Sequence, residues 1–324
     1  MFLLQNDIFF WDLCILLLIV LSVCGAITCS IWLKRHPHKI FQKIFVSFLY
    51  AFSLFCLLLL IYGSFIEPQL IVVTKKTITH PLASPMKIVV ISDLHVGAYK
   101  GEAYVKRVVN RINNLLPDIV LIPGDFTLST ESDLSDLDPL QNIHTTMGTY
   151  AVLGNHDMGE YALPSGQRFR GEDSGNEITA KLQALGVTVL RNTAKEIPLS
   201  TGKIAIAGID DIWSDKSNIS NTLYDIDPSA YIVLLAHNPS IIDDPKSRVA
   251  HLIVSGHTHG GQIRIPWMGP IAPLPTTLGQ EFDQGIFDID DDTQLAITRG
   301  IGESSARARL FAIPEILLLN ITGT

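Results

Sequence analysis

The chemistry in this chain is concentrated in short polar clusters that each follow an apolar run. "KIVVIS" leads into Asp93-Leu94-His95, "DIVLIPG" into Asp125, and "TYAVLG" into Asn155-His156-Asp157. "YIVLLA" leads into His237, and "HLIVSG" into His257-Thr258-His259, followed by Gly260 and Gly261. Carboxylate, imidazole and amide oxygen without thiolate are the donors of a borderline divalent cation such as Mn, Fe, Zn or Co. The i, i+2 spacing of Asp93/His95 and of His257/His259 puts each pair on one side of an extended chain end. The two glycines let the backbone turn closely beside it. Such groups gather where ligands bind open α/β sheets, outside the carboxyl ends of the strands.

The positioning elements are legible around these clusters. Six Val- and Ile-rich runs of four to seven residues read as buried strands. "EAYVKRVVNRINNLLP" repeats apolar residues at helical spacing and stops at Pro117, and "NEITAKLQALG" (176–186) is a second helix closed by Gly186. After residue 260 the runs "QIRI", "GIFDI", "QLAIT" and "EILLLNI" read as antiparallel strands. Stretches 128–146 and 158–175 have no clear period and read as surface loops near the site. A βαβ opening followed by more strands predicts layered sheets with outer helices.

The front of the chain is of another kind. Leu13 to Leu33 is an uncharged apolar run of 21 residues and Ile44 to Ile66 one of 23. Each can cross a hydrocarbon core of about 30 Å. No Lys or Arg precedes the first run, which argues against a cleaved signal peptide. The expected organisation is a transmembrane hairpin over 1–68, a linker and edge strand over 69–84, and a catalytic domain over 85–324. Lys34, Arg35, Lys39 and Lys43 lie between the spans, so the charge rule predicts a multi-pass membrane protein whose domain is extracytoplasmic. Lys75 and Lys76 after the second span dilute that bias.

Residues 81–324 carry 18 Lys and Arg against 29 Asp and Glu, a net charge of −11. That balance argues against a broad nucleic-acid-binding face. All four cysteines (Cys14, Cys24, Cys29, Cys56) lie in or beside the apolar runs, so the domain has no disulfide framework. His36, His38, His80, His144 and His251 have no partner pattern. Arg168, Arg170, Arg307 and Arg309 are candidate diphosphate-binding cations whose bland alternative is a solvated surface.

Taken together, "DLH", "GD", "GNHD", a lone His and "GHTH" in this order resemble the calcineurin-like metallophosphoesterases, over roughly residues 85–322. "ISDLHVG", "AHNP" and "SGHTHGGQI" are similar to the membrane-associated branch that includes UDP-diacylglucosamine pyrophosphatases. The resemblance implies a four-layer α/β/β/α sandwich with two divalent metal ions. One ion would take Asp93, His95, Asp125 and His259, and the other Asp125, Asn155, His237 and His257, with Asp125 as the bridge. His156 would be the general acid at the leaving oxygen, and Asp157 would orient its imidazole. The implied partner is a phosphorylated or diphosphate substrate, lipid-linked in the leading case and held at the membrane. The alternatives are an extracytoplasmic phosphodiesterase or phosphatase on another envelope substrate, and a non-catalytic binding or scaffold protein.

Overall fold

The computed structural model describes residues 2–36, 40–162, 167–200 and 202–323. Two six-stranded mixed sheets pack face to face. The first comprises β1 (Val72–Thr79), β2 (Met86–Val90), β3 (Ile119–Pro123), β4 (Thr149–Val152), β7 (Thr188–Val189) and β16 (Glu315–Thr322), in the order β1-β16-β2-β3-β4-β7. The second comprises β8 (Thr193–Pro198), β9 (Lys203–Gly208), β10 (Tyr231–Leu235), β11 (Leu252–Ser255), β14 (Gly285–Asp288) and β15 (Gln294–Ile297), in the order β14-β15-β11-β10-β9-β8. Two small hairpins pair β5 (Glu160–Ala162) with β6 (Arg168–Arg170), and β12 (Arg264–Ile265) with β13 (Gly269–Pro270).

Three apolar cores glue four layers. Between the sheets, Ile88, Val90 and Leu121 meet Ile206, Val233 and Val254. The central strands are apolar on both faces because each face is covered. On the first sheet's outer face, Val89, Val120 and Ile122 pack against α3 (Glu102–Asn113) and α4 (Gly175–Ala184). In α3 the buried Val105, Val108, Val109 and Ile112 form the stripe that helical spacing requires. Outside the second sheet, α5 (Ile219–Leu223) and short 3-10 turns cover Ala205, Ile232 and Ile253. The fold is the expected four-layer α/β/β/α sandwich.

Three details depart from the sequence reading. The late strands are not uniformly antiparallel: β15 runs parallel to β11, and β16 runs parallel to β1 while antiparallel to β2. Apolar alternation marks a strand and its face but carries no direction. Within 128–146, Leu134–Asn142 forms a 3-10 helix whose first turn is capped by Asp133, which accepts from the Ser135 amide. Within 158–175 lies the β5–β6 hairpin, although residues 163–166 fall outside the described set.

The apolar front folds as two helices, α1 (Phe2–Arg35) and α2 (Ile40–Ile61), long and apolar enough to cross a membrane. Of the basic turn between them, His38 and Lys39 lie outside the described residues. A π-helical turn (Tyr62–Ile66) and a 3-10 turn (Glu67–Gln69) join α2 to β1. This junction is built into the domain. The Glu67 carboxylate is fully buried and accepts from the Phe311 and Ala312 amides at 3.0 and 2.7 Å. The Arg309 amide donates to the Gly63 carbonyl at 2.8 Å, and the buried Lys100 ammonium donates to the Pro68 carbonyl. Burial lowers the Lys100 pKa to about 8 even with Glu303 3.1 Å away.

Candidate metal centre

The loops after β2, β3 and β4 of the first sheet and after β10 and β11 of the second meet at one end of the sandwich. They bring Asp93, His95, Asp125, Asn155, His237, His257 and His259 together, each no more than 7% exposed. The way they converge differs from the sequence expectation. Asp93, His95, Asp125, His257 and His259 all have positive φ, between 45 and 69°. The pairs do not share a face by extended alternation; tight left-handed turns aim them. That backbone is sparsely populated for residues other than glycine and costs on the order of 1–3 kcal/mol at each position. Backbone bonds hold it, with Asp93 donating to the Gly124 carbonyl at 3.0 Å and His95 to the Asp125 carbonyl at 3.1 Å. Gly260 and Gly261 also have positive φ, but the closest approaches to the carboxylates are elsewhere. A Cβ on Gly154 would overlap Asp125 Oδ1, and one on Gly256 would overlap Asp93 Oδ2.

The hydrogen bonds around the cluster fix which atoms face inward. His237 Nδ1 lies 2.7 Å from the Pro123 carbonyl and His257 Nε2 lies 2.8 Å from the Pro275 carbonyl. A carbonyl only accepts, so both of these nitrogens carry hydrogen. The opposite nitrogens, His237 Nε2 and His257 Nδ1, present lone pairs to each other at 3.1 Å. Asn155 spends its amide NH2 on the Glu160 carbonyl at 2.7 Å, which turns Oδ1 toward His237 Nε2 at 3.1 Å. Asp125 Oδ2 completes the set 3.2 Å from His237 Nε2. Four acceptors converging in a buried space need a positive charge among them. A proton is one candidate: burial lowers the His237 pKa, but the Asp125 carboxylate outweighs it and raises it to about 10. A divalent cation is the other, and it satisfies all four acceptors at once. The donor set and the carbonyl partners behind the imidazoles fit a metal centre.

The second half of the cluster shares Asp125. Its Oδ2 also lies 3.4 Å from His95 Nε2, which is 3.2 Å from His259 Nε2, itself 3.6 Å from Asp93 Oδ1. The same carboxylate oxygen is therefore common to both halves of the cluster. The fully buried Arg309 stands behind His259, its Nη2 3.4 Å from Nδ1. Burial, His95 and this guanidinium keep the His259 pKa well below its ordinary value.

His156 sits beside the cluster, its ring edge-on to His95 at 4.5 Å and to Tyr161 at 5.0 Å. Its Nδ1 donates to the Leu128 carbonyl at 2.8 Å, which leaves Nε2 facing away. Burial lowers its pKa to about 4. Asp157 does not orient this ring. Its Oδ1 accepts from the Phe126 and Thr127 amides and from the Thr127 hydroxyl, and its Oδ2 accepts from the Gly154 amide. The carboxylate ties the loops after β3 and β4 together, and the orienting role belongs to Leu128. Nothing in the sequence marks a backbone carbonyl for that task.

The four arginines separate. Arg309 gives its hydrogens to the carbonyls of Gly302, Ala312, His259 and Arg299, so it neither reaches substrate nor is solvated. Arg170 pairs with Glu160, and Arg307 lies 4.0 Å from Asp12 between the rings of Phe65 and Tyr99. The Arg168 guanidinium lies 5.2 Å from the Trp213 ring, which stands edge-on to His257 at 4.7 Å. Trp213 and the buried Asp211 were not singled out by the sequence reading. The "IDDIWS" segment carries no metal-ligand spacing to mark them.

Comparison with known proteins agrees with this geometry. The chain is 29% identical over 272 residues to the uncharacterized metallophosphoesterase YkuE of Bacillus subtilis, covering 81% of this chain and 90% of the relative. It is 27% identical over 304 residues to the UDP-2,3-diacylglucosamine pyrophosphatase LpxG of Chlamydia trachomatis, covering 80% and 92%. It is 30% identical over 248 residues to the uncharacterized metallophosphoesterase Cj0846 of Campylobacter jejuni, covering 75% of this chain and 60% of that one. The calcineurin-like phosphoesterase profile matches residues 86–261, which contain every residue of the cluster, and the chain belongs to the calcineurin-like phosphoesterase family.

Proposed function

We propose that this chain is a membrane-anchored hydrolase that holds two divalent cations and cleaves a phosphoester or pyrophosphate bond. The observation that carries the reading is the sharing of Asp125 Oδ2 between His95 on one side and His237 on the other, in a cluster of inward-facing acceptors. Asp93, His95, Asp125 and His259 would hold one ion, and Asp125, Asn155, His237 and His257 the other. Two such ions supply a nucleophile from water at neutral pH and charge stabilisation on the phosphoryl oxygens. Mn, Fe, Zn or Co suits the donors.

The protein's own groups do the rest. Asn155 contributes a neutral oxygen, so the site does not accumulate negative charge where an anion must bind. Arg168, braced on Trp213, brings a cation to the rim for a second phosphate. His156 is neutral as the structure stands; a bound phosphate beside it raises its pKa, and its Nε2 then gives a proton to the leaving oxygen. Asp157 is a positioning residue for the two loops.

The substrate class in this reading is a lipid-linked diphosphate of the UDP-2,3-diacylglucosamine type. It draws support from the likeness to the Chlamydia trachomatis pyrophosphatase and from two helices able to cross a membrane. A second reading, an extracytoplasmic phosphodiesterase, draws support from Lys34, Arg35, Lys39 and Lys43 between the helices. Topology separates the two. A C-terminal fluorescent-protein fusion that glows, with a silent alkaline-phosphatase fusion, supports the cytoplasmic lipid precursor. The reverse pattern removes that substrate and leaves the envelope phosphodiesterase. Turnover of UDP-2,3-diacylglucosamine by the full chain in micelles, abolished by chelator, tests the first reading directly.

A further inference from the structure

The β12–β13 hairpin begins shortly after His259 in the chain, and the segment that leaves it returns to the cluster at Pro275, whose carbonyl accepts from His257. No charged residue stands between Arg264 and Glu281, in a domain whose net charge is −11. The apolar side chains at the tip do not pack into a core. Trp267 is fully exposed, Met268 is 79% exposed, and Ile265 and Ile271 are exposed on either side. The backbone holds them out. The Met268 amide donates to the Ile265 carbonyl at 3.1 Å, closing a turn with Pro266 second and Trp267 third. Trp267 has a φ of 66°. Proline followed by a residue of positive φ is the pattern of a type II turn, whose third position favours glycine. A tryptophan there is both strained and solvated, so packing within the domain does not account for it. Phe311, beside the hairpin base, repeats the combination: it is exposed and has a φ of 57°.

Strand register places α2 at the same end of the sandwich. Val72, at the start of β1, pairs with Glu315 at the start of β16, and Leu317 pairs with Val90, just before Asp93. The chain therefore enters the domain from α2 at the end that carries the cluster. Leu310 joins the parts there. Its amide donates to the Gln262 carbonyl and its carbonyl accepts from the Arg264 amide, both at 2.9 Å, while the next amide, that of Phe311, donates to Glu67. Phe65 and Ile66, in the turn that follows α2, are also exposed. Exposed apolar side chains thus continue from the exit of α2 through Phe311 to the hairpin. A contiguous apolar surface of this kind marks a contact, and its continuity with a membrane-length helix names the bilayer as the occupant. Tryptophan suits the boundary of a bilayer, where its ring meets acyl chains and its N–H meets head groups. We infer that Trp267 and Met268 dip into the bilayer surface beside the exit of α2, docking the domain with its cluster-bearing end toward the membrane. This second contact rests on the reading of α2 as a membrane span, and on nothing about the cations or the substrate.

The test uses the full chain in phosphatidylcholine nanodiscs, with Cys14, Cys24, Cys29 and Cys56 replaced by alanine and one spin label attached through Met268→Cys, Phe52→Cys or Asp291→Cys. Phe52 is an exposed residue of α2, and Asp291 lies in the exposed turn before β15, at the far end of the sandwich. Power saturation reads access to oxygen, which partitions into lipid, against access to an aqueous nickel chelate. The oxygen-to-nickel ratio at position 268 is expected to be several-fold above that at 291 and below that at 52. A ratio at 268 equal to that at 291 overturns the inference. Low access to both reagents at 268, the mark of a second copy or another protein covering the hairpin, overturns it as well. Aqueous access at 52 overturns the span reading, and the signal at 268 still decides the hairpin. A second measurement leaves Met268 in place. The difference in emission between the native chain and Trp267→Gly, which gives the turn the residue it favours, isolates the Trp267 ring. That difference should shift to the blue in nanodiscs and lose most of its intensity when the acyl chains are brominated near the head groups. An emission difference that bromine leaves unchanged contradicts the docking.

Discussion

Among the described residues, two histidine–carboxylate clusters at different places in the sandwich differ in how their imidazoles are held. The first is the centre formed after β2, β3, β4, β10 and β11. The second lies where His80 follows β1 and His251 precedes β11, with Asp288, Asp290 and Asp292 around a smaller cavity beside Tyr231. The residue types are the same. What differs is which ring nitrogen the backbone takes. At the second cluster the amides of Leu82 and Ile232 donate to Nδ1 of His80 and His251, at 3.2 and 2.9 Å. Each neutral ring then carries its hydrogen on Nε2, and His80 points that nitrogen at Asp292, 3.6 Å away. At the first cluster carbonyls take the outer N–H groups of His237 and His257 and turn lone pairs inward. The His80 N–H faces a carboxylate 3.6 Å away, whereas the His237 lone pair lies 3.2 Å from the Asp125 carboxylate and suits a positive charge between them. The backbone group behind the ring decides between them.

This contrast can be broken most severely at Asp125. Asp125→Asn removes the charge shared by both halves, so both ions should be lost and turnover should fall by more than roughly 10³-fold, the scale expected when a dinuclear centre is emptied. His156→Ala sharpens the contrast by separating chemistry from metal holding. It should keep both ions and lose roughly 10²–10⁴ in turnover, as removal of a positioned acid does. Metal loss in step with activity in that variant would contradict the assignment. A milder perturbation is pH. Asp125 holds the His237 pKa up to about 10 against burial, so a proton competes with the cation at every pH below that. Cation affinity should therefore rise with pH, by about tenfold per unit for each proton displaced, and level off near pH 10. Titration of proton release on Mn addition checks the sign. The smallest functional effect belongs to the second cluster. His251→Phe leaves the Ile232 amide without its acceptor and should cost roughly 1–3 kcal/mol of stability. Metal content and turnover should stay at native levels, read by thermal melting, metal analysis and aryl diester hydrolysis.

Much of this was legible in the chain because motif order and strand ends are written locally. Buried runs of Val and Ile end in polar groups, and parallel strands bring those ends to one place, so the sequence alone groups Asp93, Asp125, Asn155, His237 and His257. Layered sheets with outer helices followed from a βαβ opening and the later strands, and the four-layer order from the resemblance to the metallophosphoesterases. Features set by long-range backbone contacts were not legible. The left-handed turns at Asp93, His95, Asp125, His257 and His259 are imposed by loops from two sheets, and no residue type there announces them. Asp157 follows His156 in sequence and looked like its partner, yet its carboxylate meets amides from the neighbouring loop. The direction of β15 and β16 depends on which strand each meets, which apolar alternation does not encode. Arg309 looked like a surface cation; a loop folded over the end of α2 buries it.

The central claim is that the inward-facing acceptors around Asp125 hold two divalent ions, and counting ions tests it most directly. The full chain is loaded with Mn, freed of excess by gel filtration, and analysed by plasma emission spectrometry alongside Asp125→Asn and His251→Phe. The account predicts close to two ions per chain for the native protein and for His251→Phe, and a content near zero for Asp125→Asn. Equal metal in native protein and Asp125→Asn, or full hydrolytic turnover by a native chain stripped of metal in chelator, would contradict it.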